Sequence, residues 1–260
     1  MRMRILAGVW LTGSLALSAC AGAPVKPANY GEEAQAAYER AERALDRGEY
    51  EGARNLLTEI SEQFAMSPYG ALAEYRLGDL YFEEGSYVLA ADAYRRFAQK
   101  RPTHAKAEEA ELAAARCAFE QMPGEWLVMP PAHERELVSA KEAYGALQRF
   151  VKGRPSSALL PEAERMLGVV TDRLAAHELY VAKFYLDRSN ALAAARRLSG
   201  MLTSYPTTGV ASEGRYLLAR SYLLLGDGAA AVSELERLSR EDGGSEWGSK
   251  AAAYLRKYRG

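Results

Sequence analysis

A short pattern returns along this chain at an interval of 37 residues. Gly48-Glu49-Tyr50 followed by Ala53 is matched by Gly85-Ser86-Tyr87 followed by Ala90. Ser189-Asn190-Ala191 followed by Ala194 is matched by Gly226-Asp227-Gly228 followed by Ala231. A second mark is an apolar residue five positions before a proline: Phe97 before Pro102, Phe150 before Pro155, Met201 before Pro206. A fixed period of this size signals a stacked array whose units cannot bury their apolar faces alone. Within the units Ala, Leu, Glu and Arg dominate, all good helix formers. Apolar residues recur at helical spacing, as in Leu72 and Tyr75, then Leu77 and Tyr81.

Each unit therefore reads as a helix pair. Gly48, Gly85 and Gly226 suit the tight turn between the helices, because glycine tolerates positive φ. Pro102, Pro155 and Pro206 stop the second helix. Small residues in the first helix (Ala41, Gly78, Ala115, Ala182, Ala219) face small residues in the second (Ala53, Ala90, Ala143, Ala194, Ala231), so the two backbones can come close. Together these marks resemble tetratricopeptide repeats. Five are found, over 34–68, 71–102, 105–155, 175–206 and 212–242, the third split by an insert. Ser245 to Tyr258 reads as a capping helix. The expected fold is all-α, a right-handed solenoid of about five such pairs with a C-terminal cap, occupying residues 31–260.

The first nineteen residues read differently. Arg2 and Arg4 precede an apolar stretch from Ile5 to Leu17, too short to cross a bilayer core of ~30 Å as a helix. A charged start, a short apolar run and small residues form a secretory signal. Its end, Leu17-Ser18-Ala19-Cys20, resembles the bacterial lipobox, which implies a lipidated Cys20 at the mature N-terminus. Several acyl chains anchor stably where one does not. Ala21 after the cysteine, rather than Asp, suggests outer-membrane retention in lipoproteins of this type. Residues 20–30 then form the lipidated cysteine and a short tether, with Gly, two Pro and no amphipathic period.

Repeat architecture by itself implies only a binding scaffold. A narrower resemblance comes from His177-Glu178-Leu179-Tyr180-Val181-Ala182-Lys183-Phe184-Tyr185-Leu186, read as opening the fourth repeat. A second is Ala93-Tyr94-Arg95-Arg96-Phe97 with Arg101-Pro102-Thr103-His104 in the second repeat. Both runs are similar to those of the BamD family, lipoproteins of the outer-membrane β-barrel assembly machinery. The likeness extends to the lipobox, the repeat count and the insert in the third repeat. It implies a non-catalytic, periplasm-facing protein lipid-anchored in the outer membrane. Its implied partners are unfolded outer-membrane proteins, the POTRA domains of the barrel-forming subunit and other assembly lipoproteins. The insert from Met122 to Pro131, apolar and bounded by prolines, departs from the family's pattern. Another envelope lipoprotein with the same repeats, a pilus-assembly pilotin or a Tol–Pal cell-division scaffold, is the alternative.

Other chemistry has little foothold. Net charge is −1, so no broad electrostatic footprint for nucleic acid exists. His177-Glu178 could begin a zinc motif, but Val181 stands where the second histidine is needed. No Cys-x-x-Cys pair, phosphate loop or nucleophile elbow occurs. No cofactor beyond the lipid on Cys20 and no metal are expected. Cys117 among alanines reads as a small buried hydrophobe.

Two sites are expected instead. The aligned arginine of the family faces the POTRA subunit, which implies docking by Arg197, with Arg196 its nearest alternative. In tetratricopeptide arrays the first helix of each pair lines the concave face. Counting from the turns places Tyr38, Glu42 and Leu45 there, then Leu72, Tyr75, Asp79 and Phe82, then Leu112, Arg116 and Phe119. Such a surface could hold an apolar, aromatic-ended client strand by ring stacking and side-chain pockets. The competing reading is that these aromatics pack against the adjacent repeat.

Overall fold

The computed structural model describes residues 29–122 and 137–259. The described residues form eleven helices and no strand. Five consecutive pairs match the five units: α1 (Tyr30–Asp46) with α2 (Tyr50–Gln63), α3 (Pro68–Glu83) with α4 (Tyr87–Lys100), α5 (Ala107–Glu120) with α6 (Val138–Gly153), α7 (Leu160–Asp187) with α8 (Ala191–Ser204), and α9 (Ala211–Leu224) with α10 (Gly228–Glu241). The helix α11 (Glu246–Arg259) closes the array, packing on α9 and α10. Cys20, the tether as far as residue 28, and the insert over 123–136 lie outside the described residues.

Four of the intra-pair turns share one geometry. In the first, Gly48 N–H donates to the Leu45 carbonyl and Glu49 N–H to the Ala44 carbonyl, the paired bonds of a Schellman cap. Gly85 and Gly226 repeat it, and all three glycines have φ between 72° and 80°. Ser189 takes the same place in the fourth pair at φ 57°, the lone non-glycine at positive φ among the described residues. The next residue caps the second helix in two pairs: Asn190 accepts from Ala193 N–H, and Asp227 from Ala230 N–H.

All ten small contact residues are buried. Gly78 shows why size matters there. A Cβ on it would lie 2.7 Å from ring atoms of Tyr94. Each helix packs on its chain neighbours, and first helices also touch along the array (α1 with α3, α5 with α7, α7 with α9, α9 with α11). No two second helices of the described residues make a comparable contact. First helices therefore line the shorter, inner side of the solenoid.

The fourth pair departs from the expected boundaries. Its first helix begins at Leu160, not near residue 175, and runs 28 residues, about 42 Å at 1.5 Å per residue. Pro161, in its first turn, is compatible with a helix start. Ala163, Met166, Val170 and Leu174 pack with Leu112, Leu147 and Phe150 of the third pair. Ala175, Leu179 and Ala182 pack with Leu198, Met201, Leu217 and Leu218. One helix thus serves two cores, and His177 lies in its middle rather than at a repeat's opening.

Candidate functional site

The inner side of the first three pairs carries a connected polar network centred on Arg76. This side chain, on α3, reaches Glu42 of α1 (3.4 Å), and on its own helix Asp79 (3.6 Å) and Glu83 (3.1 Å). Tyr38 lies beside Glu42 on α1. Tyr94 donates its hydroxyl to Asp79 at 2.6 Å. Lys106 pairs with Glu109 at 3.0 Å and lies 4.4 Å from the ring centre of Tyr75, whose hydroxyl lies near Glu109. Burial, then the neighbouring carboxylates Glu42, Glu109 and Asp79, holds the hydroxyls of Tyr38, Tyr75 and Tyr94 well above the ordinary phenol range. Burial also raises the Asp79 carboxyl, against the pull of Tyr94 and Arg76. For Glu109 burial acts upward too, but Lys106 and Tyr75 outweigh it and the carboxyl ends below its ordinary value.

The expected groove residues divide by burial. Tyr38, Glu42, Leu72, Asp79, Phe82, Arg116 and Phe119 are partly exposed. Phe82 stacks edge-on against Tyr87, 5.3 Å between ring centres. Phe119 leans on the third pair's core, and Arg116 pairs with Glu162 of α7. Leu45, Tyr75 and Leu112, at 8%, 6% and 1% exposure, do not line a groove. Leu45 and Leu112 fill cores between helices. Tyr75 is clasped by Tyr94 and Phe97, each 5.5 Å away, and covered by Lys106. Arg76, Lys106 and Glu109 were missed. Arg76 follows Leu72 by four positions and precedes Asp79 by three, a helical spacing that puts all three on one face.

On α8, Arg196 and Arg197 are both exposed. Arg197 pairs with Glu178 of α7 at 3.1 Å. Cys117 is buried, which pushes its thiol up to about 11. Among the described residues no three His, Cys, Asp or Glu side chains gather as a metal site would require, and no helix is long and apolar enough to cross a membrane.

The helix pairs and this inner face lie within a region that matches one family throughout: residues 31–238 fit the family described as YfiO, outer membrane lipoprotein. The chain belongs to that family. Among its relatives, a Caulobacter vibrioides protein named outer membrane protein assembly factor BamD is 26% identical over 223 residues, covering 85% of this chain and 70% of that one. A Vibrio cholerae protein of the same name is 26% identical over 229 residues, covering 83% and 91%. Of solved structures, MamA from Desulfovibrio magneticus aligns over 84% of this chain and 99% of that one, with 15% identity and a TM-score of 0.39.

Proposed function

We propose that this protein is a non-catalytic scaffold for the assembly of outer-membrane β-barrel proteins, anchored by lipid on Cys20 and facing the periplasm. The observation that carries the reading is the family match across almost the whole repeat array, with relatives named as assembly factors over most of their length. A solenoid with a polar, aromatic inner face suits an adaptor that holds extended segments. In this reading Tyr38, Leu72 and Phe82 offer partly open apolar surface to unfolded clients, and the exposed arginines of α8 dock the POTRA-bearing subunit. Lipidation of Cys20 is supported by Leu17-Ser18-Ala19-Cys20.

The deciding experiment is depletion of the protein with measurement of outer-membrane barrel content. Selective loss of barrels supports the proposal. Normal barrels with lost pili or septation defects would move the protein to the alternative envelope role. Replacing Cys20 by alanine tests the anchor: the variant is expected to leave the outer-membrane fraction and to take up no fatty acid.

A further inference from the structure

We propose that the inner face of the first three pairs selects client segments carrying lysine or arginine beside an aromatic side chain, and disfavours segments with carboxylates there. This rests on the client-binding reading and adds a charge preference to it.

In the network around Arg76 and Lys106, four carboxylates, Glu42, Asp79, Glu83 and Glu109, answer those two cations, and Arg116, the further cation close to Glu109, is taken up by Glu162 of α7. Both cations are committed: Arg76 is shared among three carboxylates, and Lys106 is held between Glu109 and the face of Tyr75. An incoming carboxylate would have to break an existing pair, whereas an incoming ammonium or guanidinium meets unspent negative charge. The two most open of these carboxylates lie on different helices, Glu83 of α3 at 48% and Glu109 of α5 at 50% exposure. Two rings near the network are only partly covered: Tyr38, close to Glu42 and 5.8 Å from Tyr69, and Phe82, which precedes Glu83 on α3. A cation beside an aromatic therefore finds both a carboxylate and a ring face within one client segment. The raised Asp79 carboxyl fits the same picture of a buried negative group with too little compensation. Repulsion of the wrong segment, as much as attraction of the right one, sets the preference.

The full-length protein would be titrated with three synthetic peptides of one length, ending in the same aromatic residue, with lysine, glutamine or glutamate at the positions flanking their rings. The expected order is lysine over glutamine over glutamate, with steps of about five-fold at low salt that shrink as salt screens exposed charge. Glu83→Gln and Glu109→Gln, each checked by a thermal melt, should narrow the spread. Equal affinities that all fall in Phe82→Ala would overturn the charge preference and leave the client groove standing. Equal affinities that Phe82→Ala does not change, or no binding of any peptide, would overturn the client groove itself and the preference with it.

Discussion

Arg197 on α8 reaches back to Glu178 on α7, its Nη1 3.1 Å from Oε2. The pair replaces a bond used elsewhere in the array. Glu74 takes Arg101 at 2.9 Å, and Glu111 takes Arg154 at 2.7 Å, each arginine standing just before the proline that ends its repeat. Glu178 is the next carboxylate in that register, but Tyr205 stands 27 residues on, where Arg101 stands relative to Glu74. With no arginine there, Glu178 turns to Arg197.

This pairing makes a docking role separable from a stabilising one. Arg197 is 47% exposed, and a surface pair of this kind is worth ~0–1 kcal/mol. Arg197→Glu should leave the denaturation midpoint almost unchanged while weakening co-purification with the POTRA subunit. Glu178→Gln frees the guanidinium without removing it and should retain the partner. Undiminished co-purification of Arg197→Glu removes Arg197 from the docking surface and leaves Arg196 to be tested.

Two glycines in first helices should respond unequally to alanine. At Gly78 the new methyl meets the Tyr94 ring, which its bond to Asp79 and its contact with Tyr75 hold in place. Overpacking of that kind costs ~1–3 kcal/mol. At Gly214 the nearest obstacle is the terminal methyl of Met201, the end of a flexible side chain that can swing aside. Alanine also gains helix propensity there, so Gly214→Ala should be near neutral. Chemical denaturation of both variants checks this, and equal losses would contradict it.

Ser189 is the left-handed residue where three sister turns use glycine. A non-glycine in that conformation costs roughly 1–2 kcal/mol. Ser189→Gly should therefore raise the melting temperature, provided the turn bonds to Tyr185 and Leu186 persist. A fall in melting temperature would mean that the added freedom of the unfolded chain outweighs the relieved strain.

Asp79 gives a pH signature. Its folded carboxyl titrates above the ordinary value of about 3.9. The stability this group contributes is thus present below that ordinary value and lost as pH rises through the raised one. Asparagine keeps an oxygen for the Tyr94 hydroxyl and removes the titration. Asp79→Asn should gain most over the natural protein at neutral pH, and the advantage should shrink as pH falls towards about 4. A constant or growing advantage on acidification would refute this.

Much of the architecture was legible because period and residue size are both written in the sequence. The turns at Gly48, Gly85 and Gly226 and the Ala–Ala and Gly78–Ala90 contacts follow from a spacing that only stacked helix pairs satisfy. The start of α7 was not legible: the residues from Leu160 onward have no counterpart 37 positions away, so the repeat pattern says nothing of them. Nor could spacing separate Tyr75 from Phe82. Both lie on one stripe of α3, and only the placement of Tyr94, Phe97 and Lys106 buries the first. Arg76 was overlooked because charge on a helix face usually means solvent, whereas here it bridges two repeats.

The length of α7 bears on how the array comes apart. In a chain of like repeats each unit holds its neighbours through a similar interface, so unfolding can begin at an end and advance one unit at a time. A continuous backbone from Leu160 to Asp187 breaks that equivalence, because melting either of the two cores it serves strips the same helix from the other. Fraying that starts at α11 or at α1 should stall at this junction, and the third and fourth pairs should exchange their amide protons as one block.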